Sequence, residues 1–261
     1  MTQPAAAQLA AVAEPPGVTA VEASAVEGRS FRYYDFIMAA FVTVLIGSNL
    51  IGASKAATLG TWDLGPLGQV PIEFGAGILF FPVSYIIGDI LTEVYGYARA
   101  RRVVWAGFGA VLFIAFMSWA IVSLPPAPRF QNQAALETVF GQVPRIVAAS
   151  VVAFWAGEFA NAMVMARMKV WTRGRWLWSR TIGSTAVGQG VDSLLFYPLA
   201  FLGVWDTQLV INVMITAWLT KVAWEAFLTP VTYRVIGWLK RAEGVDVYDV
   251  DTNLTPFSTR A

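Results

Sequence analysis

The 261-residue sequence contains no cysteine and no histidine. The first absence rules out disulfides and thiolate chemistry. The second removes the commonest metal ligand and the usual general base near neutral pH. Charge is scarce as well: 13 % of the residues are Asp, Glu, Lys or Arg, against about 25 % in an ordinary soluble domain. No G-x-x-x-x-G-K-[ST] phosphate loop occurs, and this length leaves no room for a soluble nucleotide domain beside a bundle of spans. Most enzyme chemistries therefore lose their residues, and the chain is expected to need no metal and no cofactor and to bind no nucleic acid.

What the chain has in quantity is apolar surface, with 57 % hydrophobic residues and a net charge of +1. That composition belongs to a single-domain integral membrane protein. A hydrocarbon slab of ~30 Å takes about 20 residues to cross as a helix. Six segments qualify: Tyr33 to Gly52, Ile72 to Tyr95, Arg102 to Leu124, Pro144 to Met168, Arg180 to Gly203 and Gln208 to Leu239. The expected fold is all-α, a polytopic bundle of six transmembrane helices over residues 31–240. The sixth segment is too long for one straight span, so it tilts, protrudes or bends at Pro230.

Residues 1–30 lack a basic start and a compact apolar core, and are read as a disordered tail that stays on the chain. Residues 241–261 are acidic and read as an irregular cytoplasmic tail. Lys and Arg concentrate before the first span (Arg29, Arg32), after the second (Arg99, Arg101, Arg102) and after the fourth (Lys169, Arg173, Arg175). The opposite face offers Lys55, Arg129 and Arg145. The positive-inside rule then places both termini in the cytoplasm of a multi-pass protein in contact with lipid. Ala53 to Pro71 and Pro125 to Gly141 are read as structured loops on the far side.

The informative residues are polar ones at membrane depth. Asp89 and Glu93, Glu158 and Asn161, Gln189 and Asp192, and Lys221 and Glu225 form four pairs at i+3 or i+4, each sharing one helix face. An ionised carboxylate at bilayer depth costs roughly 2.5–3.5 kcal/mol on insertion scales, so such faces turn inward. Any one pair has an equally good structural reading: an intrahelical Lys221–Glu225 ion pair, interhelical hydrogen bonds from Asn161 and Gln189, Glu93 at the membrane surface beside Arg101. Four together point to a polar substrate cavity, with Asn49, Glu158, Asn161, Gln189, Asp192 and Lys221 as binding residues. Asp89, Glu93 and Glu225 are candidates for coupling or gating. Asp89 and Glu93 repel one another, which makes them the first choice for a proton switch unless the nearby arginines compensate. Gly188 and Gly190 are read as places where backbone approaches a flat ligand. Trp155, Trp218 and Trp224 are stacking candidates, and Trp171, Trp176 and Trp178 an interfacial belt.

The stretches FPVSYIIGDILTEVYGYARARRVVW, GEFANAMVMARMK, SRTIGSTAVGQGVDSLLF and KVAWEAFLTPVTYRVIGWLKRAEGVDVYD, followed by TPF, together resemble the queuosine precursor transporter family, also described as vitamin-uptake-transporter-like. The resemblance runs from about Tyr33 to Phe257, with D-I-L-T-E-V-Y-G its most specific element. It implies a six-helix, multi-pass protein of the bacterial inner membrane, similar in fold to the substrate-binding components of energy-coupling-factor transporters. It also implies uptake of 7-cyano- and 7-aminomethyl-7-deazaguanine, the precursors of the tRNA base queuosine. A carboxylate can accept from N1 and the 2-amino group of such a base while Lys, Asn or Gln serves O6, and aromatic faces can hold the ring.

Two readings compete. Asp89 and Asp192 on separate spans resemble the paired aspartates of an intramembrane aspartyl hydrolase; Gly88 fits that pattern, but Ile86 stands where a further glycine is expected. Alternatively the chain is a binding subunit for another small polar nutrient, powered by a separate ATPase module docked on the small residues Ala39, Ala40, Gly47 and Gly52. A homodimer is also open. Neither oligomeric state nor the driving force follows from the sequence.

Overall fold

The computed structural model describes residues 16–26, 28–52, 56–63, 69–75, 79–140, 144–203, 207–250 and 252–257. Lys55, the side chain of Arg145 and the first half of the N-terminal tail lie outside them. The described chain is mostly helical: α1 (Tyr34–Gly47), α2 (Phe81–Tyr95), α3 (Tyr97–Ser123), α4 (Gln133–Phe140), α5 (Pro144–Trp171), α6 (Leu177–Phe201) and α7 (Thr207–Glu243). Four short strands accompany them, β1 (Thr19–Glu22), β2 (Ala56–Asp63), β3 (Gln69–Gly75) and β4 (Val245–Tyr248). Among the described residues, Tyr34–Ile51, Tyr97–Ser123 and Ala148–Trp171 are long and apolar enough to cross a membrane by length and composition.

The second expected span is shorter than its apolar run. Its helix begins at Phe81, because Gln69–Gly75 pairs antiparallel with Ala56–Asp63. The local sequence explains the hairpin: β-branched and aromatic residues flank a Gly-Pro-Leu-Gly stretch, which signals strand, turn and strand. The loop expected from Ala53 to Pro71 therefore contains β2 and the start of β3. The 15 residues of α2 reach roughly 22 Å, short of a ~30 Å slab. By contrast α7 runs 37 residues without a break and keeps Pro230 inside it, about 55 Å of helix.

A single residue turns α2 into α3. Gly96 has φ +85°, a conformation L side chains rarely adopt, and a Cβ there would lie 2.9 Å from Val247 Cγ1. The first N–H of α3, from Tyr97, donates to both carboxylate oxygens of Asp249 at 2.9 and 3.1 Å. Asp249 thus caps α3 from a distant part of the chain.

Both tails contain order the sequence reading missed. Within the segment read as disordered, β1 forms and pairs in parallel with β4, Thr19 opposite Val245 and Glu22 opposite Tyr248. Val26, Val245 and Val247 make a small apolar cluster beneath them. Each strand has four residues, too few to announce itself without its partner. The pairing brings the two terminal segments together at one end of the bundle. The main core lies between α1, α2, α3, α5 and α7, around Phe41, Leu91, Tyr95, Val103, Phe159 and Ile236.

Helices α5 and α6 meet backbone to backbone. A Cβ on Gly188 would lie 2.7 Å from Asn161 Cβ and 2.8 Å from Gly157 O, and one on Gly157 would lie 2.8 Å from Gly188 O. Gly188 is thus committed to helix packing rather than to a ligand, while a Cβ on Gly190 would lie 3.6 Å from Trp218 Nε1. Replacing Gly188 by Val is expected to destabilise the protein by about 1–3 kcal/mol through overpacking. Thermal unfolding in detergent checks this; a variant as stable as the parent would mean that the helices are not held this closely.

Candidate functional site

Four helices bring their polar faces together, in two layers. The layer nearer the terminal sheet is built on Glu93, which is fully buried. Its Oε1 accepts from Arg180 Nη2 at 2.7 Å and Lys240 Nζ at 2.6 Å, with Lys169 Nζ at 3.6 Å. Lys169 and Lys240 also hold Asp246 of β4, at 2.5 and 2.9 Å. Lys169 donates further to the backbone oxygens of Glu93 and Val247. Beside this cluster Glu243 accepts from the backbone N–H of Arg32 and Tyr33 and from the Tyr95 hydroxyl, tying α1 and α2 to the end of α7.

This corrects the reading of Asp89 and Glu93 as a repelling switch. Glu93 has cations from α5, α6 and α7, and its neighbour one turn away on α2 points into a different layer. The compensating charges are not the nearby arginines either. Arg101 donates to the backbone oxygens of Asn253 and Thr255, and Arg99 to those of Val26 and Arg29, so these arginines fasten the two tails.

The second layer, deeper in the bundle, holds most of the predicted binding residues. Asp89 Oδ1 on α2 accepts from Asn161 Nδ2 on α5 at 2.9 Å. One turn earlier on α5, Glu158 lies against α2 where glycine leaves room; a Cβ on Gly88 would fall 2.2 Å from Glu158 Oε1. Asp192 on α6 accepts from Lys221 Nζ on α7 at 2.8 Å. Gln189 is buried on α6. Glu225 of α7 acts electrostatically on Asp89, and Asp192 on Glu158. Lys221 therefore does not form the expected intrahelical pair with Glu225; it turns across to Asp192.

The structure leaves Asn49 apart from this group. It sits in the π-helical turn Ser48–Gly52 after α1, donates to Leu45 O at 2.8 Å, and lines a small recess with Phe108, Val111, Ser150 and Phe154. Of the stacking candidates, Trp155 packs with Trp105, Phe159 and Phe257, and Trp224 with Phe227. Trp218 donates to Ala186 O at 2.9 Å, beside Gly190. Trp171, Trp176 and Trp178 are exposed, as a belt requires.

Three site residues were passed over in the sequence. Tyr85, buried with no partner for its hydroxyl, lies near Glu158, Gln189 and Asp192. Thr185 and Ser193 are buried on α6 with unpartnered hydroxyls. The signal was present: Tyr85 is one turn before Asp89, and Thr185 and Ser193 are one turn either side of Gln189.

The hydrogen-bond inventory of this layer is lopsided. Asp89 Oδ2, Asn161 Oδ1, Gln189 Oε1 and both carboxylate oxygens of Glu158 and of Glu225 are buried and receive no donor. Buried polar groups in native proteins are nearly always paired, so a concentration of orphan acceptors marks a place where something else donates.

Comparison with known proteins assigns the chain to a family. Residues 75–235, more than half of the chain and all of α2 through α6, match the family described as "Putative vitamin uptake transporter". The chain belongs to this family. It is a membrane transporter, and the aspartyl hydrolase reading falls away. It is 33 % identical over 158 residues to the "Probable queuosine precursor transporter" of Bacillus subtilis, covering 60 % of this chain and 69 % of that one. It is 30 % identical over 125 residues to the "Queuosine precursor transporter" of Escherichia coli, covering 48 % and 54 %. A "Probable queuosine precursor transporter" of Haemophilus influenzae is 26 % identical over 147 residues, covering 55 % and 59 %. No solved structure matches the chain significantly.

Proposed function

We propose that this transporter takes up queuosine precursors, 7-cyano- and 7-aminomethyl-7-deazaguanine, through the inner layer formed by α2, α5, α6 and α7. The observation that carries the reading is the set of buried acceptors without donors, in a chain whose relatives are named for these precursors. A 7-deazaguanine base presents N–H groups at N1, N9 and the 2-amino position to such acceptors. Lys221 or the Asn161 and Gln189 amides supply the donors for O6. Asp89, Glu158, Asn161, Gln189, Asp192 and Lys221 are the base-reading residues, and Tyr85 joins them.

The chain is proposed to cross the bacterial inner membrane six times, through α1, α2, α3, α5, α6 and α7, with both termini cytoplasmic. Support comes from the sheet that joins β1 to β4, from the six bundle helices that lie between those strands in the chain, and from Lys and Arg gathered at that end. Access alternates by separation of α2 from α5 and α7 on one side, with the Glu93 cluster as the cytoplasmic closure. For coupling, Asp89 and Glu225 remain candidates, whereas Glu93 is held by its cations.

Calorimetric titration of the purified protein with 7-cyano-7-deazaguanine tests the reading. Saturable binding is expected, and Asn161→Leu, which removes the amide bound to Asp89, weakens it at least tenfold. No binding of either deazaguanine by folded protein would reject the proposal.

A further inference from the structure

Resting on the deazaguanine reading, the site's chemistry goes further and distinguishes between the two bases. They differ in one substituent: the 7-cyano group is a neutral acceptor, whereas the 7-aminomethyl group is protonated at neutral pH and donates three hydrogen bonds. We infer that the site selects a base carrying a primary ammonium over its neutral counterparts, with Glu158 and Glu225 as the carboxylates that receive it.

The first ground is charge. Asp89, Glu158, Asp192 and Glu225 lie in the inner layer, and among the described residues the cation that reaches them is Lys221, which is bonded to Asp192. Lys169, Arg180 and Lys240 are committed to Glu93 and Asp246 in the other layer. A buried carboxylate without a counter-charge is costly to ionise and is otherwise held as the neutral acid. A ligand bringing a positive charge relieves that cost, and a neutral ligand does not.

The second ground is independent of charge. Asn161 Oδ1 and Gln189 Oε1, amide oxygens on two different helices, are also buried without donors. Together with the free carboxylate oxygens they make an interior rich in acceptors, beside which the Thr185 and Ser193 hydroxyls are small donors. A cyano nitrogen entering here adds an acceptor where acceptors are already in excess. An ammonium adds three donors. Polar sites discriminate most strongly when the wrong ligand leaves buried groups unpaired.

Within this layer Glu158 and Glu225 suit the role better than Asp89 or Asp192. Both of their oxygens are free, whereas Asp89 Oδ1 holds Asn161 and Asp192 Oδ2 holds Lys221. Glu158 rests against Gly88, so the carboxylate stands where α2 offers no side chain to compete for it.

The test is parallel titration of the purified protein with 7-aminomethyl-, 7-hydroxymethyl- and 7-cyano-7-deazaguanine. The hydroxymethyl base matches the aminomethyl base in size and lacks its charge. The wild type is expected to bind the aminomethyl base at least tenfold more tightly than either neutral base. Glu158→Gln and Glu225→Gln each reduce that ratio, costing the aminomethyl base several-fold more affinity than the cyano base. Equal or tighter binding of a neutral base by the wild type overturns the inference while leaving the uptake proposal intact. An undiminished ratio in both folded variants overturns the assignment to these carboxylates. Failure of all three bases to bind overturns the uptake proposal and this inference with it.

Discussion

Glu93→Gln is expected to be the most destabilising carboxylate substitution in the chain. The glutamate is fully buried, with Arg180 and Lys240 at hydrogen-bond distance and Lys169 at 3.6 Å. Breaking a buried ion pair from one side costs about 3–5 kcal/mol, because the remaining charge stays buried without compensation. Here three cations from three helices are left facing each other, with Asp246 as the remaining shared acid. The consequence spreads, because the same lysines hold β4 and through it β1. Unfolding measured in detergent should show a large loss of stability and of monodisperse protein, while Glu137→Gln, on the exposed helix α4, changes neither. A Glu93→Gln protein as stable as the parent would mean that the cluster does not hold the bundle.

The sequence made the inner layer legible through spacing. Glu158 with Asn161 and Gln189 with Asp192 share helix faces by their i+3 intervals, and a membrane gives such faces one sensible direction. Those four residues do come together. Spacing was silent on partners. Lys221 stands one turn from Glu225 and reads as its ion pair, yet it bonds Asp192 on the neighbouring helix, because within reach of two carboxylates the geometry of helix crossing decides. Glu93 failed for the same reason: its one-turn distance from Asp89 was visible, and its distance from Lys240, 147 residues later, was not. The terminal sheet was illegible because two four-residue strands mean little until they are paired. Gly188 was misassigned because a glycine required by a helix neighbour and one required by a ligand look alike in one dimension. Asn49 instead lines a recess with Phe108 and Phe154, and the π-helical turn that carries it has no sequence signature.

The largest functional effect is expected at Asp192. It pairs with Lys221 between α6 and α7, and the pair is partly exposed within the bundle, so a ligand can exchange with it. Asp192→Asn preserves volume while removing an ionised acceptor. Hydrogen bonds to charged groups contribute about 1.5–3 kcal/mol, so a loss of tenfold or more in substrate affinity is expected, with Lys221 left without its counter-charge. Lys221→Met combined with Asp192→Asn should restore folding stability but not substrate recognition, which separates a binding role from a merely structural one.

The central claim, uptake of a deazaguanine base by this chain, is tested most directly in proteoliposomes that contain the purified protein alone. Labelled 7-cyano-7-deazaguanine is added outside, and its accumulation inside is followed with time. The account predicts saturable uptake above that of empty liposomes, competition by unlabelled 7-aminomethyl-7-deazaguanine, and a rate at least tenfold lower for Asp192→Asn. Uptake no faster than in empty liposomes by folded protein, with no competition by the unlabelled base, would contradict it.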